Sequence, residues 1–382
     1  MKLYILPLIF VASGSMTWAI SVLYALDLGA SILQVNLITT IRSAMSILLL
    51  VPFGILSDRF GRRPMLLFPR IIVLIGLLIR TLATHPNHLL LAAFVGGFAG
   101  GGFFPVLLSM VADVAEPKDR QEVISTLYLF SGIGMFLGPL IGSLLLTIPQ
   151  VSLRNLYQIH VIAMVGTLLY MATQIQETKP DTSKGEKVHY KIHVSDLIHR
   201  SDFQALLVTT LLFSFYRSII NTYIPIYARV DLNLTDAEVS SLSIYRNLAV
   251  VVIRLSCATF LTGAPITIMF LFALALGGLS GLAAPFANSY LLLILIRLLA
   301  GLSHGATMIL GSTLVAIETK TENRGMANSI YNVAQSIGGM ANVLTSPIAE
   351  SQGLSSVFLL GGASALTATL PMLIRRRRTQ ET

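Results

Sequence analysis

Twelve stretches of this chain each run for roughly 20 mostly apolar residues, long enough to cross a bilayer as a helix. In the first half they lie at about 4–26, 34–56, 65–84, 89–111, 123–146 and 155–174; in the second, at about 203–227, 240–260, 265–284, 291–317, 326–348 and 355–374. In hydrocarbon every backbone N–H and C=O needs an internal partner, so such stretches form helices. The strict alternation of a membrane barrel is absent. Most connections are under about ten residues, too short for a second folded domain. Hydrophobic residues make up 54 % of the chain and charged residues 12 %, about half the charged share of a soluble domain. Together these features exclude a disordered chain, a nucleic-acid-binding domain and an ordinary soluble enzyme. The expected fold class is an all-α membrane protein, with twelve transmembrane helices in two pseudo-symmetric six-helix bundles.

The first stretch follows Lys2, as a secretory signal would, but it continues past Trp18 to Leu26, longer than a signal's apolar region. It is expected to remain as a span. The single cysteine, Cys257, excludes a disulfide framework, a zinc cluster and a paired-cysteine redox site, so no metal is expected. No stretch fits a phosphate loop or a nucleophile triad. The chain is therefore not expected to be an enzyme or to carry a cofactor.

Charge placement orients the helices. With the N-terminus in the cytoplasm, the inner loops hold Arg59, Arg62, Arg63, Lys118, Arg120, Arg200, Lys320, Arg324 and the tail Arg375 to Arg378, besides four linker lysines. The outer loops hold only Arg154 and Arg229. That asymmetry sets the topology, with both termini inside and the cytoplasmic membrane as the expected location. Anionic lipid headgroups account for much of the net charge of +8, with no nucleic-acid partner needed.

The chain also repeats itself. Arg42 and Arg246 lie 204 positions apart, as do Gly97 and Gly301, Arg120 and Arg324, and Gly134 and Gly338. Two six-span halves follow in parallel order, at 1–175 and 202–382, around a polar, lysine-rich cytoplasmic linker at 176–201. Duplicated halves are a common way of building a secondary transporter, with the site near the bilayer midplane.

Between the second and third spans the chain reads GILSDRFGRRP, with Gly54, Asp58, Arg59, Gly61, Arg62, Arg63 and Pro64. Physically this is a tight turn: Gly61 permits a left-handed backbone and Pro64 suits the first turn of a helix. Asp58 can cap a neighbouring helix N-terminus. The segment resembles the G-x-L-x-D-R-x-G-R-R signature loop of the major facilitator superfamily, and the match is complete. The resemblance implies a cytoplasmic latch, in which Asp58 faces the N-terminus of the eleventh span near Met326 and Arg62 pairs with Asp113. The equivalent segment of the second half, ATFLTGAPITI, has no charge, so the latch is one-sided.

In the fifth span, Gly134, Gly138, Pro139 and Gly142 form a small-residue face for close helix packing. They also resemble the superfamily's antiporter signature, with Ser143 in place of its last glycine, and this resemblance implies a drug–proton exporter. In the fourth span Ala93 stands where the superfamily commonly has an arginine; the counterpart of the second half, Arg297, is present.

Ionisable groups within spans are expensive and point to function. Arg42, Arg217, Arg246, Arg254 and Arg297 lie deep, with His304 near mid-span; Asp27, Arg70 and Arg80 are expected toward helix ends, where long side chains snorkel. Cations outnumber acids. One reading is an anion site built from Arg42, Arg217, Arg246 and Arg297, with Arg42 and Arg246 facing each other across the pseudo-axis. The other is that these arginines bond backbone carbonyls or water. Tyr216, Tyr245 and Tyr331 are candidate pocket-lining rings, and Asp27 and His304 the candidate proton carriers. Asn328, Asn332 and Gln335 share a near-helical spacing. The expected function is alternating-access transport of a small amphipathic molecule or organic anion, as a monomer, exporting it against protons. The alternatives are an uncoupled facilitator or anion exchanger, and a transporter-like membrane sensor.

Overall fold

The structure is a computed structural model that describes residues 5–100, 106–108, 110–111, 116, 119–178, 200–259, 265–319 and 324–381. Asp113, Gly101 and the linker at 179–199 lie outside the described residues, as does the side chain of Asp58. Among the described residues the regular structure is helical, without strands. The chain divides into two compact units, Met1–Val188 and His189–Thr382.

The first unit contains α1 (Ile5–Ala19), α2 (Ser21–Asp27), α3 (Ile32–Phe60), α4 (Arg62–Thr81), α5 (Pro86–Gly100), α6 (Arg120–Leu145) and α7 (Leu153–Gln174). The second contains α8 (Ser201–Val230), α9 (Asp236–Thr259), α10 (Ile266–Ala283), α11 (Tyr290–Glu318), α12 (Arg324–Met340), α13 (Ser346–Gln352), α14 (Leu354–Thr367) and α15 (Thr369–Glu381). All twelve apolar stretches are helical over their described residues, but three are interrupted. The first bends by 45° between α1 and α2. The eleventh passes through a 3-10 segment, Ala341–Thr345, between α12 and α13. The twelfth breaks at Ala368 between α14 and α15. Among the described residues, seven helices are each long and apolar enough to cross a membrane, Leu354–Arg375 qualifies across the break between α14 and α15, and the bent α1–α2 pair makes a ninth segment. Over the described residues α12 has 17 residues and α5 has 15.

Local chemistry sets the helix starts. Asn155 closes a capping box onto the Ser152 backbone at 2.8 Å ahead of α7, and Glu238 accepts from the Thr235 backbone N–H at 2.8 Å ahead of α9. Ser289 caps α11 by accepting from the Leu292 N–H. Between α3 and α4 the chain turns at Gly61, whose φ of +103° is open mainly to glycine.

The outward faces carry Leu48, Phe68, Ile162, Leu169, Phe272 and Leu295, each about half or more exposed. A water-soluble fold rarely displays so much continuous apolar surface; lipid accommodates it. The interior of each unit is held by glycine contacts that repeat at the sequence offset. A Cβ on Gly97 would come within 2.7 Å of Met45 Cβ and 3.0 Å of the Arg42 carbonyl. Gly301 meets Ala249 and the Arg246 carbonyl in the same way, and each of those residues is 204 positions from its counterpart. The fifth-span glycines do the same for α6 on α1. Gly134 backs onto the Leu8 carbonyl, and Gly138 onto the Ala12 carbonyl and Ser15. Ser15 also donates to the Gly134 carbonyl at 3.1 Å. Gly338 packs likewise on the Leu211 carbonyl.

Gly138→Ala should therefore force α1 and α6 apart, a loss of about 1–3 kcal/mol typical of overpacking. Gly132 has nothing within 4 Å of its would-be Cβ. Gly132→Ala should be neutral or slightly stabilising, since alanine is the better helix former. Thermal unfolding of the two purified variants in one detergent checks this; equal midpoints would remove the packing role of Gly138.

Candidate functional site

The first unit holds a partly open cavity of about 240 Å³, lined from α1, α2, α3, α4, α5 and α7. Arg42, Arg70 and Arg80 all line it, together with Thr17, Trp18, Tyr157 and His160, and the lining holds no carboxylate. The Arg42 guanidinium lies over the Trp18 ring, 4.0 Å from its centre. Arg70 lies over Phe10 at 3.5 Å. These are cation–π contacts, in which the ring face substitutes for part of the lost hydration. Arg70 thus departs from the expectation that it snorkels, while Arg80 lines the cavity half-buried from the last turn of α4. Arg70 is only 4 % exposed, because Phe10 and the cavity give it a polarisable lining inside the bundle. A second layer holds the walls in place. Tyr24 donates to the Arg80 carbonyl at 2.8 Å, and its ring sits 4.8 Å from that of Tyr157.

The second unit gathers its arginines on a pair of asparagines. Asn221 Oδ1 accepts from Arg246 Nη1 at 2.9 Å and from Arg297 Nη1 at 3.3 Å. Asn247 Oδ1 accepts from Arg246 Nε at 3.1 Å and Nη2 at 2.8 Å. Arg297 also reaches the Ile220 carbonyl at 3.5 Å. These acceptors satisfy N–H groups but carry no charge, so the positive charge stays uncompensated by them. A space of about 10 Å³ is lined by Tyr216, Arg217, Asn221, Arg246 and His304, among others. A neighbouring one of about 20 Å³ is lined by Arg217, His304, Tyr331 and Gln335. Tyr216 is fully buried and hydrogen-bonded to Ser280.

Thus Arg217, Arg246, Arg297, His304, Tyr216 and Tyr331 come together within one unit, while Arg42 sits in the other. Tyr245 lies instead beside Tyr290, which hydrogen-bonds Ser241. Asp27 ends α2, exposed, and lines none of these cavities. Arg254 turns to the Met308 sulfur at 3.6 Å. Asn221, Asn247, His160 and Thr17 were not singled out by the sequence. For Asn221 a signal existed, since it sits four residues after Arg217 on the same helix face; His160 carries no such mark.

At the signature loop, the anion on the α4 N-terminus is Glu177. Its carboxylate accepts the backbone N–H groups of Arg62 at 2.8 Å and Arg63 at 3.1 Å, a favourable place for negative charge. It fills the space a side chain on Gly61 would need. The expected partners Asp58 and Asp113 belong to the undescribed part. Away from the spans, between α8 and α9, burial lifts the Asp231 carboxyl above its ordinary range.

The family model described as Major Facilitator Superfamily matches residues 3–267 and 263–382. The chain belongs to the Major Facilitator Superfamily. Among relatives, the multidrug resistance protein MdtL of Klebsiella pneumoniae subsp. pneumoniae is 26 % identical over 191 residues, 49 % of this chain and 47 % of that one. The multidrug resistance protein MdtH of Yersinia pestis is 28 % identical over 152 residues, 40 % of this chain and 36 % of that one. The chain therefore spans less than half the length of these two relatives. Among solved structures, a mutant of the nucleoside transporter NupG superposes with a TM-score of 0.82 at 14 % identity, covering 98 % of both chains. The human organic anion transporter MFSD10 (TETRAN) gives 0.68 at 15 % identity, covering 97 % of this chain and 98 % of that one. At such identities the likeness shows the fold alone; the family model and the apolar helices make the chain an integral membrane protein.

Within this superfamily fold the Asn221 clasp makes a sharp stability test. Asn221→Leu should remove the acceptor shared by Arg246 and the buried Arg297 and cost about 1–3 kcal/mol. Asn221→Asp should keep the fold, because it restores oxygen acceptors and adds an opposing charge. Equal thermal midpoints for wild type and Asn221→Leu would show the clasp to be idle.

Proposed function

We propose that the chain is a secondary transporter that moves a small organic anion across the membrane by alternating access, in the direction of export. The observation that carries the reading is the pairing of Arg42 and Arg246. The repeat relates them, each backs a glycine contact in its own unit, and each lines a cavity without a carboxylate. A buried guanidinium with neutral partners is a standing demand for an anion. Export is supported by the printed function of the multidrug relatives and by the antiporter-like glycines of α6. In this reading Arg217, Arg297, Tyr216 and Tyr331 complete the polar lining, and His304 is the group best placed to carry a coupling proton. The bundles are assigned to 1–175 and 202–382 around the cytoplasmic linker. Both termini face the cytoplasm, the cytoplasmic membrane is the location, and the working unit is a monomer without catalytic activity.

A second reading, an uncoupled facilitator or exchanger, is favoured by one observation. Ala93, where an arginine is usual, is fully buried, leaving its helix without that charge.

A thermal-shift screen of the purified protein against organic anions and cations should give stabilisation by anions. In proteoliposomes loaded with the best hit, Arg42→Ala and Arg246→Ala should each reduce transport at least about tenfold, the loss expected for one charge-assisted hydrogen bond. Unchanged rates would remove the anion reading. Collapse of accumulation by a protonophore is expected for coupled export; persistence would select the facilitator.

A further inference from the structure

The cavity inside the first unit has a composition that packing alone does not require. We propose that it is a binding subsite for a compact organic anion, held by Arg42 and Arg80, with His160 as a third donor and Trp18 as the flanking ring. The inference deepens the anion-transport reading by naming a site and a ligand class, but the site itself stands on one unit only.

Volume limits the ligand first. About 240 Å³ is room for about eight waters, below the usual range for drug-sized ligands. A carboxylate on a single ring or short frame fits; a bulky drug does not. Charge limits it next. Arginine side chains line the cavity and no Asp or Glu does, so a cation is repelled and a neutral ligand leaves the field uncancelled. Arg80 reaches the Tyr157 hydroxyl, and the Arg42 guanidinium carbon lies 4.0 Å from the centre of the Trp18 ring, which brings two fixed cations to one cavity, each able to bind a planar carboxylate through its N–H groups.

His160 supplies the independent observation. It is 6 % exposed and lines the cavity, yet its Nε2 makes no hydrogen bond among the described residues. Buried polar atoms are nearly always paired, so an unpaired one beside an empty volume marks a ligand position. The other nitrogen, Nδ1, lies 2.9 Å from Thr17 Oγ1. A neutral ring has one N–H. The one Thr17 hydroxyl proton can go to the Gly14 carbonyl at 3.1 Å or to Nδ1; when it goes to Nδ1, the N–H is on Nε2 and can donate to an anion. In the opposite tautomer Nε2 presents a lone pair that repels one. A bound anion therefore selects the first arrangement, and Thr17 acts as its positioning residue.

Trp18 is the single tryptophan of the chain, so its fluorescence reports on this cavity directly. Benzoate titrated into the purified full-length protein should give a saturable change in emission, and heat by calorimetry. Benzamide, its neutral counterpart, should give neither. Arg42→Gln should weaken benzoate about tenfold and His160→Phe about fivefold, while Arg229→Gln, a surface arginine of the other unit, should change nothing. Absence of saturable benzoate binding by both methods, or equal binding of benzamide, would overturn the proposal on the wild-type protein alone. Wild-type affinity in both Arg42→Gln and His160→Phe would overturn it as well. Benzoate binding by a protein that transports nothing would keep this site and remove the transport reading; transport without benzoate binding would remove only this site.

Discussion

The constraint on which the structure turns is the buried guanidinium. Arginine does not give up its proton readily, so burial cannot neutralise it as it would a lysine or a carboxyl group. Each arginine within a span must find acceptors, ring faces or an incoming anion. Here the partners are a tryptophan ring for Arg42, a phenylalanine ring for Arg70 and asparagine oxygens for Arg246 and Arg297. All of these are neutral. They meet the directional needs of the N–H groups and leave net positive charge in the interior of each unit.

Helix packing places those charges. The glycine contacts that bring α5 onto α3 and α11 onto α9 touch the backbone of the arginine-bearing turns themselves. A Cβ at Gly97 or Gly301 would push against the carbonyl of Arg42 or Arg246, so close packing and charge position are one feature. The repeat therefore preserves more than an outline of helices. It preserves a specific contact, a glycine against the arginine's own peptide group, in both halves.

Much of this was legible in the sequence. The lengths of the apolar stretches pointed to all-helical spans, because backbone hydrogen bonding in lipid leaves few alternatives. The offset of 204 related Arg42 to Arg246 from the chain alone, since duplicated helices keep their register through packing. What stayed hidden was depth and facing. Arg70 looked like a snorkelling residue because linear position says nothing about a cavity beside Phe10 and Tyr157. His160 was passed over because one histidine in an apolar run has no pattern to mark it. The helix break at Ile20 has no proline or glycine beside it to announce it, whereas Pro371 takes the N–H that would bond the Thr367 carbonyl and so marks the break at Ala368.

The two halves hold the repeated arginine differently. Asn247 follows Arg246, and its amide oxygen draws the guanidinium down with two hydrogen bonds. The repeat places Ser43 after Arg42, and a hydroxymethyl group is too short to reach the same atoms. Arg42 instead extends to the Trp18 ring. Where the arginine is clasped, the surrounding spaces are about 10 and 20 Å³. Where it is not, about 240 Å³ stays open beside it. Asn247, Asn221 and Arg297, where the first half has Ser43, Thr17 and Ala93, thus fill the second interior with polar side chains, while the first retains both charge and room, and a ligand needs both.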